Sequence, residues 1–409
     1  MIFADLWEDL KPYGRTDSGF RRYTWTRSDE QCRQWFIDQA ELRGLAVETD
    51  RNGNLWAWWD VAQDVTQGAP RRNAVVTGSH LDSVPDGGAF DGPLGVVSAL
   101  AAIDLLRDRG VTPQRPVAVT VFVEEEGARF GLACLGSRLL AGVVDPDRAR
   151  ELTDDAGVSF ADAMAGAGLE PAGIGPDEDL LGSIDAFVEL HIEQGRALAV
   201  IEPEGCAIGL AEGIWPHGRW RLDFTGMADH AGTARFADRK DPMLPFAATV
   251  LAARKAAEQR GALATFGKVI AEPGGVNGVS AAVHAWLDAR AADEETLSET
   301  VSTVRSDGMR FSAEHGVTLS MRQESATPVV SFDPRLRERI SAVLGAEVPV
   351  LPTGAGHDAG VLAARVPTAM LFVRNPTGVS HSPAEHADLA DCEAGVRALA
   401  AVIEELACR

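Results

Sequence analysis

The chain has 409 residues, 45% of them hydrophobic, enough to bury large cores in two domains, possibly three. Its 60 acidic residues against 38 basic ones leave a net charge of −22, which excludes the positive surface that nucleic acid or an anionic membrane requires of a partner. No apolar run approaches membrane-spanning length, and the first residues are acidic where a signal peptide is basic, so a cytoplasmic protein is expected.

In chain order, Ser28 to Arg43 opens with a capping-box-like pattern and stops before Gly44, which predicts a helix over 28–43. Val47 to Trp58 predicts a hairpin around Asn52-Gly53. The run Ala74 to Thr77 is short, apolar and β-branched, as a buried parallel strand should be, and it delivers His80 at its carboxyl end. A Gly-rich turn follows, and the helical spacing from Pro93 to Arg109 puts Asp91 at the N-cap. A second buried strand, Pro116 to Val123, ends at Glu124-Glu125-Glu126. The Asp/Gly/Ala-rich stretch 153–183 reads as surface. A third strand, Ala186 to Leu190, delivers His191, and a fourth, Ala369 to Val373, precedes a loop with His381. Between residues 212 and 325 the pattern changes to strand 219–225, helix 243–260, strands 266–271 and 282–290, helix 293–315 and strand 317–323. That β-α-β-β-α-β order is ferredoxin-like. The expected architecture is α/β: a doubly wound, mostly parallel sheet formed by 1–211 and 326–409, interrupted by a smaller ferredoxin-like α+β domain, 212–325. Five cysteines, odd in number and without a CxxC pair, indicate reduced thiols and no disulfide framework.

Taken singly, Asp91 reads as a helix cap and His80 as a packed core histidine. Together with the other strand ends they read as a metal site. Histidine and carboxylate without thiolate suit zinc, manganese, cobalt or nickel. Two metals close together need a bridging carboxylate and a second carboxylate as base, and three adjacent glutamates at one strand end repel unless cations or protons relieve them. No HExxH, GxSxG, P-loop or dinucleotide GxGxxG motif competes.

The segments Gly78-Ser79-His80-Leu81-Asp82, Gly88-Ala89-Phe90-Asp91-Gly92, Glu124-Glu125-Glu126-Gly127, His191-Ile192-Glu193-Gln194-Gly195, Asp229-His230-Ala231-Gly232-Thr233, Gly354-Ala355-Gly356-His357-Asp358 and Ser380-His381-Ser382-Pro383-Ala384-Glu385 resemble, in order and spacing, those of N-carbamoyl-L-amino-acid hydrolases and allantoate amidohydrolases. These belong to the binuclear-metal aminoacylase and carboxypeptidase superfamily. The resemblance implies two divalent metal ions per subunit, held by His80, Asp91, Glu126, His191 and His381, with Asp91 bridging and His80 and His191 on opposite metals. It implies Glu125 as general base, Asp82 as the residue that orients His80, and His230 as stabiliser of the oxyanion. Asn277 and Arg290 would grip the substrate carboxylate, with Gln194, Gly356 and His357 also at the substrate. The implied partner is a small molecule carrying a carboxylate, and the implied assembly a homodimer with the histidine reaching across it, hinged near 205–214 and 323–330. The expected reaction is hydrolysis of the linear amide or ureido bond of an N-carbamoyl-L-amino acid. Allantoate, other ureido acids and N-acyl amino acids are the alternatives, and a non-catalytic metal- or ligand-binding protein is the distant one. The chain departs from the family pattern at Ala234-Arg235-Phe236, at Gly278-Val279-Ser280-Ala281 and in the heavily aromatic Gly213 to Trp220. No departure removes a metal ligand.

Overall fold

The apolar run Ala74–His80 shows no alternation, and it forms a strand buried on both faces. In the computed structural model, which describes residues 3–61, 70–201, 205–345 and 347–409, this strand sits at the centre of a mixed sheet. Met1 and Ile2, part of the acidic start, lie outside the described residues. Val117–Phe122 pairs in parallel on one side of Ala74–His80 and Ile184–Ile192 on the other; Thr368–Val373 pairs in parallel with Ile184–Ile192. Antiparallel strands close the edges: Leu55–Trp59 and Ala46–Thr49 beyond Val117–Phe122, and Ile208–Ile214 beyond Thr368–Val373.

Helices Pro93–Asp108 and Leu389–Ala407 cover one face, where Val97, Leu100 and Leu399 meet Val75, Val119 and Val188. Burying each such side chain contributes about 1.5–3 kcal/mol. Two expectations need correction here. The helix begins at Pro93 with Gly92 as its N-cap, so Asp91 does not cap it; its carboxylate turns into the site instead. The stretch 153–183 is not all surface, since it folds into short helices whose Phe160 and Met164, with Ile174, join a core under Trp25 and Phe130.

The chain divides into two compact units, one formed by Met1–Glu212 and Ser331–Arg409, the other by Gly213–Val330. In the second, strands lie in the antiparallel order Leu263–Glu272, Ala282–Arg290, His217–Thr225, Thr318–Thr327, which is the ferredoxin-like arrangement. The last strand runs past the expected 323 to Thr327. Trp220, Leu222 and Phe224 alternate with polar residues, so their face packs on helices Met243–Glu258 and Glu294–Glu314. No described helix is long and apolar enough to cross a membrane.

Candidate metal centre

The parallel strands end together, and ligands in such sheets bind outside those ends. His80 closes Ala74–His80, and His191 lies near the end of the adjacent Ile184–Ile192. Both imidazoles are 1% exposed, with ring centroids 6.0 Å apart. Each turns Nδ1 to a main-chain carbonyl, His80 to Asp82 at 3.1 Å and His191 to Ile192 at 2.9 Å. That bond fixes the tautomer with Nδ1 protonated and leaves both Nε2 atoms aimed at Asp91.

Asp91 Oδ1 stands 3.2 Å from His191 Nε2 and 3.6 Å from His80 Nε2. Its other oxygen, Oδ2, is 3.4 Å from His381 Nε2, which is also 3.4 Å from Glu126 Oε2. Two ligand sets therefore share one carboxylate: His80, Asp91, His191, and Asp91, Glu126, His381. This corrects the expected grouping. His80 and His191 come from hydrogen-bonded neighbouring strands and face the same oxygen of Asp91, where the resemblance implies ligands on opposite metals. The approach is tight at Gly92, where φ is +84° and a Cβ would run into the His80 ring.

The glutamate run divides its labour. Glu124 holds a left-handed backbone, φ +54°, and its carboxylate turns away to accept the Arg129 and Phe130 N–H groups at 2.8 and 2.6 Å. Burial, with Asp82 nearby, pushes it up to about 7. Glu125 is buried, with Oε2 3.5 Å from His80 Nε2 and Oε1 accepting from Cys134 Sγ at 3.3 Å. Asp82 stands only 3.4 Å from His80 Nδ1 through its carboxylate, which chiefly accepts the Glu125 and Glu126 N–H groups at 3.2 and 3.1 Å. Its side-chain hydrogen bonds therefore go to the glutamates, while His80 Nδ1 meets its main-chain carbonyl.

The electrostatics show what the donor set lacks. Burial raises Glu125 and Glu126 well above the usual carboxylate range, with Asp358 adding to it for Glu125 and Asp91 for Glu126. Burial would lower His80, yet Glu125, Asp82 and Asp91 hold it well above its ordinary value. Burial would raise Asp91, yet His191 and His80 hold it well below. His80 Nε2 is buried without a hydrogen-bond partner. A buried cluster in which several carboxylates crowd two imidazoles and one another is the environment a divalent cation relieves, so the residues fit the implied metals.

Other residues assigned from sequence fall into place unevenly. Gln194 donates from Nε2 to Asp91 Oδ2 at 2.8 Å and to Ser380 Oγ at 3.1 Å, so its amide is held by the Asp91 carboxylate. His357 is buried against His191, ring centroids 4.6 Å apart, and burial, then His191, lowers it well below its ordinary value. Gly356 beside it is exposed. In the second unit, His230 pairs with Gly278, and Asn277 accepts the Ala231 N–H at 3.0 Å, so His230 and Asn277 adjoin. Arg290 ends the nine-residue strand Ala282–Arg290, far from them, with Nε 2.8 Å from Asp288 Oδ1. Sequence reasoning missed four buried supports: Cys134, Glu385, and the pair Glu189 and Asp358. Glu189 accepts from Ser79 Oγ at 2.7 Å and the Ala359 N–H at 3.0 Å. Asp358 accepts from Ser137 Oγ. Both acids were in view beside their histidines, but nothing in the spacing separates a support from a surface acid.

A family model described as Peptidase family M20/M25/M40 matches residues 76–405, and the chain belongs to that family of metal-dependent hydrolases. Within it, relatives matched nearly end to end include amidohydrolases, acting on carbon–nitrogen bonds other than peptide bonds. An N-carbamoyl-L-amino acid amidohydrolase of Geobacillus stearothermophilus is 34% identical, with 98% of each chain covered. An allantoate amidohydrolase of Escherichia coli is 32% identical over 95% of this chain and 93% of the relative. The crystal structure of an amidase of the hydantoinase/carbamoylase family from Burkholderia vietnamiensis superposes with a TM-score of 0.85 at 29% identity, covering 100% of this chain and 98% of that one.

Proposed function

We propose that the chain is a binuclear-metal amidohydrolase that cleaves the linear carbon–nitrogen bond of an N-carbamoyl-L-α-amino acid, giving amino acid, carbon dioxide and ammonia. The observation that carries this reading is the sharing of Asp91 between two ligand sets with Glu125 beside them. His80 and His191 would hold one ion, Glu126 and His381 the other, and Asp91 both. Bound there, the metals supply Lewis acidity and make water acidic enough to lose a proton near neutrality. Glu125 takes that proton as the water attacks the carbonyl carbon, and then delivers it to the leaving nitrogen. Asp82 keeps Glu125 and Glu126 in place through their N–H groups.

His230 would stabilise the oxyanion, and Asn277 and Arg290 would hold the substrate carboxylate, a task for which a guanidinium is suited. A nine-residue strand spans about 27 Å, so one carboxylate cannot meet both Asn277 and Arg290 of the same chain. A two-fold dimer that brings Arg290 of one chain to the His230 and Asn277 of another resolves this, and supports a homodimer through the second unit. Ladder bonds from Ile208–Ile214 to Thr368–Val373 restrict the expected 205–214 hinge, leaving the crossings near Glu212 and Val330 as pivots.

Allantoate or another ureido acid is the second reading, favoured by the likeness to the Escherichia coli enzyme. A panel of carbamoyl, ureido and acyl acids assayed with zinc, manganese, cobalt or nickel separates the two. Glu125→Gln should keep its metals while turnover falls by about two orders of magnitude or more. Full activity in that variant would sink the assignment of the base.

A further inference from the structure

The loop that carries His381 grips the turn that carries Asp91. Glu385 is 5% exposed, and its Oε2 accepts two main-chain N–H groups, from Phe90 at 2.8 Å and from Asp91 itself at 3.0 Å. From the same loop Ser380 Oγ donates to Asp91 Oδ2 at 3.2 Å and lies 3.5 Å from Glu385 Oε1. Gly88 accommodates the clamp, since a Cβ there would run into the Glu385 carboxylate. His381, four residues before Glu385 on a left-handed backbone of φ +54°, has a side chain 52% exposed, so packing does little to hold it. His80 and His191, by contrast, are fixed by strand pairing.

We infer that Glu385 is a positioning residue that latches the Ser380–Glu385 loop to the Asp91 turn and thereby sets the affinity of the second metal position, that of Asp91, Glu126 and His381, without setting the first. The inference rests on the two-metal reading proposed above. Both N–H groups go to a single oxygen, so a glutamine amide oxygen can take its place. Alanine instead leaves one buried and one partly buried N–H group without an acceptor and frees the loop.

The test uses the whole chain and zinc alone, with bound metal counted by mass spectrometry across a graded series of chelator buffers. The wild type should hold two zinc ions. Glu385→Ala should keep one at unchanged affinity and bind the other about 10- to 100-fold more weakly. Glu385→Gln should restore the second ion to within a few-fold. Gly88→Ala, which keeps the carboxylate but displaces it, should repeat the selective weakening and serves if Glu385→Ala does not fold. Two zinc ions at unchanged affinity in both Glu385→Ala and Gly88→Ala overturn the inference, as does a parallel weakening of both ions. A wild-type chain that holds one zinc ion sinks the two-metal reading itself, an outcome distinct from two ions that both survive the substitutions.

Discussion

The functional side chains stand on two kinds of backbone. His80 and His191 sit on paired strands, each imidazole 1% exposed and fixed by a main-chain carbonyl. His381, His230 and Asn277 sit on loops or a two-residue ladder, exposed or half exposed. The strand-borne half cannot move without disturbing the sheet, whereas the loop-borne half is held by fewer main-chain bonds. Strand support fixes a side chain in place, and loop support leaves it room to adjust.

The sharpest way to break this contrast is to delete one histidine from each kind. His191→Ala should abolish activity, by about three orders of magnitude or more, and lower the melting temperature, because it strips a ligand and leaves a cavity between strands. His381→Ala should also cost activity but leave one metal bound and the melting temperature nearly unchanged. Equal melting shifts for the two would erase the distinction.

Next in size is complementation. His230→Ala and Arg290→Ala, each inactive alone, should recover about a quarter of wild-type activity when subunits are exchanged, if equal mixing gives half heterodimers with one intact site each. No recovery despite exchange, followed with differently tagged subunits, would confine the site to one chain.

The smallest expected effect concerns Gln194. Its amide is held by Asp91 and Ser380 and so acts on the Asp91 carboxylate; Gln194→Ala should lower kcat by about 10-fold with KM little changed. A rise in KM alone would return Gln194 to the substrate.

Much of this was legible in the sequence because strand ends announce themselves. An apolar β-branched run followed by His80, by Glu124-Glu125-Glu126 or by His191 carries its own position. The period-two alternation from Arg219 to Phe224 marked the second unit in the same way. The grouping of ligands was not legible, because it depends on which strands are neighbours. Ala74–His80 lies between Val117–Phe122 and Ile184–Ile192, an order no local pattern encodes. Glu385 was hidden for a related reason. Its partners Phe90 and Asp91 lie at the other end of the chain, and a glutamate after Ser-Pro-Ala reads as a solvated loop acid. The cap at Gly92 was misplaced because an aspartate before Pro93 satisfies the usual capping rule while its side chain answers to two histidines.

In a regular strand, neighbouring side chains point to opposite faces, so Glu125 and Glu126 could not both reach one site. The strand has ended at Phe122, and with the left-handed turn at Glu124 the chain has left that alternation before it reaches them. That turn is a costly conformation for a residue with a Cβ, of order 1 kcal/mol, and the two N–H groups that Glu124 gathers from Arg129 and Phe130 help to offset it. The first glutamate of the three is thus the turn from which the other two enter the cluster of histidines, although its own carboxylate points away from it.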